Sequence, residues 1–132
     1  MTVLVGYLPT VEGEAAFAAA LDEAARRSES VLLVNSPRDG APVSADVAAP
    51  DDLAALAGRA AEAGVSLEIR QAAHTGQFAD VLLEIADDTR ASVIVIGLRR
   101  RSPVGKLFLG STAQQILLNA DHPVLAVKPL RR

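Results

Sequence analysis

Residues 93–112 read Val93-Ile-Val-Ile96-Gly97-Leu-Arg-Arg-Arg-Ser-Pro-Val-Gly105-Lys-Leu-Phe-Leu-Gly110-Ser111-Thr112. The first four residues are apolar and β-branched, the pattern of a strand buried on both faces. A glycine-bearing basic loop follows, and then a helical run, Ala113-Gln-Gln-Ile-Leu-Leu-Asn119. A strand, such a loop and a new helix N-terminus make a place for an anion. Glycines let the backbone come close, free N–H groups at the helix start point at the ligand, and Arg and Lys supply charge.

The same alternation extends outward along the chain. Thr2 to Val5 reads as a short buried strand ended by Gly6. Gly13 to Arg27 reads as a helix, with acids early and arginines late as the helix dipole favours. Val31 to Val34 is a second strand. Asn35 to Pro50, with Pro37, Gly40 and Pro42, reads as a loop. Asp51 or Asp52 is expected to cap a helix that runs to about Ala63 and is closed by Gly64. Val65 to Arg70 is the third strand, and Gln71 to Gly76 a loop holding His74. Gln77 to Arg90 forms a helix with Phe78, Val81, Leu82 and Ile85 on one face. A last helix runs from Ser111 to about Ala120, and Pro123 to Lys128 is the fifth strand.

Alternating strands and helices imply right-handed crossovers and a doubly wound parallel sheet with helices on both faces. Five strands allow two familiar orders. In 3-2-1-4-5, the loops after strands one and four meet at the ligand-binding switch point; in 2-1-3-4-5, the His74 loop takes that place. The connection after strand four is much longer than the usual βα loop of about 2–6 residues, which favours the first order.

The composition sets limits. The 132 residues suit a single domain over 1–132 with its own core. Half the residues are apolar but only 3% are aromatic, so the core must be built from Ala, Val, Leu and Ile. A net charge of −3 argues against broad nucleic-acid binding. The absence of cysteine excludes disulfides and thiolate metal sites. No apolar run approaches the roughly 20 residues of a membrane helix. The N-terminus enters a strand directly instead of forming a signal peptide, so a cytoplasmic protein is expected.

Other motifs carry less chemistry. Gly105-Lys106 resembles the end of a P-loop, but Arg100 and Leu107 stand where that motif needs Gly and Ser/Thr. His74 and His122 lack the partners of a metal set. No Gly-x-Ser-x-Gly occurs, and no general base or nucleophile stands out, so any turnover would be at most slow ATP hydrolysis. Leu107-Phe108-Leu109 reads as a short turn on the core. Thr10 reads as a turn or cap residue, and Ser111 as a phosphate donor or an ordinary N-cap. Val124, Leu125, Ala126 and Val127 should form an exposed sheet edge. A twofold partner would cover it, or a loop would cover it in a monomer.

Gly97-x2-Arg100-x9-Gly110-Ser111 resembles the Gly-x2-Gly-x9-Gly-Ser/Thr nucleotide motif of the universal stress protein family. The run from Val93 to Gly97, Lys106 to Ala113 and Asp121 to Pro129 is similar to the family's C-terminal half. The resemblance implies the HUP/Rossmann-like 3-2-1-4-5 sheet, a homodimer paired through the last strand, and a stress-response regulator. It also implies binding of ATP or AMP, with Mg²⁺ carried by the phosphates. The residues it points to are Tyr7, Leu8, Pro9 and Thr10; Val34 and Asn35; Ile96, Gly97, Arg99 and Arg100; and Gly110, Ser111 and Thr112.

Two positions depart from the family pattern: Arg100 replaces the second glycine, and Leu8 stands where nucleotide-binding members carry Asp. The alternative reading is a dimeric interaction module without nucleotide, meeting an acidic protein partner through Arg99 to Lys106. Adenylyl-transferring and α-hydrolysing enzymes of related folds place Ser, Gly or His signatures after strand one, and Leu8-Pro9-Thr10 has none.

Overall fold

The computed structural model describes residues 1–35, 50–71, 77–101, 106–108 and 110–129, with the backbone alone at 50, 99–101 and 106–108. In chain order the elements are β1 (Thr2–Gly6), α1 (Val11–Arg27), β2 (Ser30–Asn35), α2 (Pro50–Glu62), β3 (Leu67–Gln71) and α3 (Phe78–Thr89). They continue as β4 (Val93–Gly97), β5 (Arg99–Arg101), β6 (Lys106–Phe108), α4 (Ser111–Asn119) and β7 (Val124–Val127). The main sheet is parallel in the order β3-β2-β1-β4-β7, so the first of the two expected orders is the one adopted. β1 is central, with Val5 opposite Leu33 on one side and Val95 on the other.

The alternation of side chains along the strands sorts the core into two layers. Val3, Val5, Val31, Leu33, Val93 and Val95 face α1 and α2. Leu4, Leu32, Val34, Ile94 and Ile96 face α3 and α4. α1 buries Gly13, Ala16, Phe17, Ala20, Leu21 and Ala24, a stripe of helical period. Its alanines let the helix lie close to β1 and β4. The edge strands differ from the centre. β3 is half-buried only at Leu67 and Ile69, and all four residues of β7 are half-exposed.

Several local expectations need correction. The connection between β4 and α4 is not all loop. β5 and β6 pair as an antiparallel hairpin, with Arg99 opposite Phe108 and Arg101 opposite Lys106. Leu107 and Phe108 therefore belong to a strand and not to a turn; Leu109 lies outside the described residues. Three successive arginines show no alternation of polarity, so period-two pattern reading had no signal there. Asp51 and Asp52 lie in the first turn of α2, where their charge suits the helix dipole, and do not cap it. Asn35 and Gln71 end strands instead of opening loops. The rest of the 35–50 loop up to residue 49, and the His74 loop, fall outside the described residues. Among the described residues, no helix is long and apolar enough to cross a membrane.

Candidate functional site

At the carboxyl end of the sheet, β1 is flanked by strands whose connections lead away in opposite directions. A crevice at this reversal is where doubly wound folds hold ligands. In this chain the turn after β1 and the connection after β4 lead out of that end of the sheet.

The β1–α1 turn is tightly determined. The Tyr7 N–H donates to Val34 O at 2.9 Å, and the Asn35 Nδ2 donates to Tyr7 O at 3.0 Å. Asn35 is fully buried, and its Oδ1 accepts from Gln71 Nε2 at 2.8 Å. Thr10 N donates to Leu8 O at 2.7 Å, closing a three-residue turn centred on Pro9, whose ring already restricts φ to the range such a turn uses. Thr10 is the N-cap of α1. Its side chain accepts from Gly13 N at 3.1 Å, and its carbonyl accepts from Glu14 N at 2.9 Å. The cap reading of Thr10 therefore holds.

Two glycines allow the close approaches that shape this end of the sheet. A Cβ on Gly13 would lie 1.8 Å from Leu8 O, so the turn folds directly over the start of α1. A Cβ on Gly97 would lie 2.1 Å from Glu12 O, so the first turn of α1 rests on the end of β4. The room left by the missing Gly97 side chain is thus occupied by the protein's own backbone. β4 stays in register beyond this point, with Gly97 opposite Val127 and Leu98 N donating to Val127 O at 2.8 Å.

The Tyr7 side chain is turned into the layer under α1 and α2. Only 1% of Tyr7 is exposed, and its OH donates to Glu14 Oε1 at 2.8 Å. The ring meets Phe17 edge-on, with centroids 6.4 Å apart. Glu14 also pairs with Arg59 of α2, whose guanidinium lies 4.9 Å over the Phe17 ring. Burial, reinforced by the hydrogen bond and charge of Glu14, pushes the Tyr7 phenol well above the usual tyrosine range. Tyr7 therefore stays a neutral donor, and only its backbone faces the turn. The Tyr7–Glu14–Arg59 cluster was missed in the sequence, where nothing tied the phenol to an acid seven residues on or to α2.

On the other wall, Gly110 is the N-cap of α4, extended at φ −70° and ψ 169°, and it supplies no capping side chain. Ser111 is the first helical residue, so the expectation of an ordinary Ser111 N-cap is not met. Among the described residues, no side chain caps the first N–H groups of α4, and in a βαβ unit the helix start lies at the carboxyl end of the strands. Ser111 is exposed and Thr112 half-buried. Arg99 and Arg100 are placed by the backbone of β5, directly after Gly97 and Leu98. Ile96 and Val34 are buried in the α3/α4 layer, and the Val34 carbonyl already accepts from Tyr7.

Away from this end, His122 Nε2 sits 3.0 Å from Asp87 Oδ1. Among the described residues, no three His, Asp or Glu side chains come together as a metal set.

The comparisons with known proteins agree with this architecture. The sequence model of the Universal stress protein family matches residues 1–128. A universal stress protein of Mycolicibacterium smegmatis (strain ATCC 700084 / mc(2)155) is 39% identical over 127 residues, which is 96% of this chain and 97% of that protein. A solved universal stress protein from Archaeoglobus fulgidus is 30% identical with a TM-score of 0.81, covering 97% of this chain and 98% of its own. A structure of the universal stress protein from Archaeoglobus fulgidus in complex with dAMP is 26% identical with a TM-score of 0.76, over 97% and 98% of the two chains. The chain belongs to the universal stress protein family.

Proposed function

We propose that this single domain binds an adenine nucleotide, ATP or AMP, in the cleft between the β1–α1 turn and the β4–α4 connection, as part of a cytoplasmic, homodimeric stress-response regulator. The observation that carries the reading is the start of α4. Its N-cap, Gly110, offers those N–H groups no side-chain acceptor, it follows a basic segment, and it belongs to the end of the sheet where the topology reverses. The dAMP complex of a similar protein supports the same ligand class.

In this reading Gly110, Ser111 and Thr112 hold phosphate oxygens through backbone N–H groups and hydroxyls. Arg99 and Arg100 add charge. The backbone of Tyr7 and Leu8, with Pro9 and Thr10, lines the nucleoside side, next to Val34, Asn35, Ile96 and Gly97. Leu8 offers apolar surface to a base but cannot ligand a cation, so Mg²⁺ would travel on the phosphates. Turnover would be slow or absent. The half-exposed edge strand β7, through Val124, Leu125, Ala126 and Val127, joins two copies about a twofold axis.

Calorimetric titration with ATP, ADP and AMP tests the reading, and absence of heat at millimolar nucleotide would overturn it. Native mass spectrometry of the purified protein tests the dimer and any co-purified nucleotide together. A second reading, an interaction module that meets an acidic partner, is favoured by the concentration of Arg99, Arg100, Arg101 and Lys106 in one hairpin. It predicts that changing the three arginines to Glu abolishes partner capture and leaves the dimer intact.

A further inference from the structure

We infer that Asn35 and Gln71 are positioning residues of the nucleotide site, which aim the Leu8 N–H into the cleft as a ligand donor. The inference rests on the nucleotide reading and adds to it a chain of contacts across three strands. In a continuing parallel ladder the Tyr7 carbonyl would accept from the backbone of the residue after Asn35. The Asn35 side-chain amide donates to that carbonyl at 3.0 Å, so β1 remains tied to β2 one residue beyond its last ladder pair, Gly6 with Val34.

The direction of that amide is itself determined. An asparagine side chain has one donor end and one acceptor end, and only one orientation satisfies both neighbours. Gln71 Nε2 donates to Oδ1 at 2.8 Å, which leaves Nδ2 for Tyr7 O. Asn35 is fully buried, so water does not compete for either end. With the Tyr7 carbonyl held toward β2, the trans peptide turns the following Leu8 N–H the opposite way, toward β4. That is the side on which β4 runs on past its last pair with β1, Val5 with Val95. Among the described residues, no group accepts from the Leu8 N–H. A donor fixed on the cleft side suits a ribose oxygen or a phosphate oxygen of the ligand.

Gln71→Met keeps the length of the side chain and removes its donor; Gln71→Glu sets an acceptor against Asn35 Oδ1 and drives the amide to flip. Gln71 stands on the exposed edge strand, so both variants should remain folded. AMP is titrated into wild type and both variants by calorimetry, and the Leu8 amide is followed by ¹⁵N–¹H correlation spectra. The expected result is a Leu8 amide among the most displaced on AMP binding in wild type, affinity weaker by about three- to tenfold in Gln71→Met, and weaker again in Gln71→Glu. A purely structural role would change thermal stability and leave the bound-state Leu8 resonance where it was. Wild type that binds AMP with an unmoved Leu8 amide, or with equal affinity in all three proteins, overturns the positioning role and leaves the nucleotide reading standing. Wild type that binds no AMP overturns both.

Discussion

Tyr7 is the only tyrosine in the chain, and there is no tryptophan, so its ionisation can be followed alone by phenolate absorption. Its OH donates to Glu14, and burial keeps the neutral form favoured in the folded state. A hydrogen bond to a charged group contributes about 1.5–3 kcal/mol when sheltered. Glu14 is 48% exposed and also bound by Arg59, so about 1 kcal/mol is the expected loss in Tyr7→Phe at neutral pH. That corresponds to a drop of about 3–5 °C in the melting temperature of a domain of this size.

The pH dependence has a definite sign. The phenol's folded-state pKa is raised, so the stabilisation is complete below the ordinary value near pH 10 and is lost as pH rises past it. Above about pH 10 the unfolded chain releases the proton while the folded chain keeps it. The advantage of wild type over Tyr7→Phe should then shrink by about 1.4 kcal/mol per pH unit, and the variant should become the more stable by about pH 11. Urea denaturation of both proteins across this range, with circular dichroism and phenolate absorption recorded together, checks it. Phenolate formation near pH 10 in a chain that remains folded would refute the reasoning, and so would parallel stability curves with no crossing.

Gly97→Ala should destabilise by about 2–3 kcal/mol in urea denaturation, because its Cβ would meet the Glu12 carbonyl at 2.1 Å and backbone cannot rotate aside. Gly58→Ala is the contrasting case: it lies within α2 with nothing near its Cβ position and should stabilise by about 0.5–1 kcal/mol. Asn35→Leu removes the donor to the Tyr7 carbonyl from a buried position and should cost about 1–3 kcal/mol, read as a shift in denaturation midpoint at unchanged slope.

The sheet order and the boundaries of most elements were legible because the strands are apolar runs separated by helices of clear period. Val31 to Val34 and Val93 to Ile96 need no long-range information to be read as strands. The long connection after β4 pointed to the correct order for a physical reason, since only the switch-point loops of such folds commonly grow. The candidate site was legible at Gly97 and Gly110, where a glycine marks the need for close approach or an uncapped helix. What approaches was not legible: at Gly97 it is the carbonyl of Glu12. The β5–β6 hairpin was hidden by a run of three like residues. Asn35 was named as a site residue, but its bonds to Tyr7 and Gln71 were hidden because those partners lie 28 and 36 residues away, a distance at which periodicity carries no signal.

The central place of β1 has a consequence for how the chain is made. One edge of β1 pairs with β2, whose residues follow within the same hairpin-sized stretch of synthesis; the other waits for β4, with Val3 opposite Val93. The chain up to Gln71 can therefore assemble β3, β2 and β1 early, leaving an apolar strand edge unfilled until the chain has grown past residue 97. Parallel pairings across so many residues form slowly, and open edges recruit other chains. The growing chain would thus pass through an aggregation-prone state on the ribosome, and truncation between β3 and β4 should yield an insoluble product.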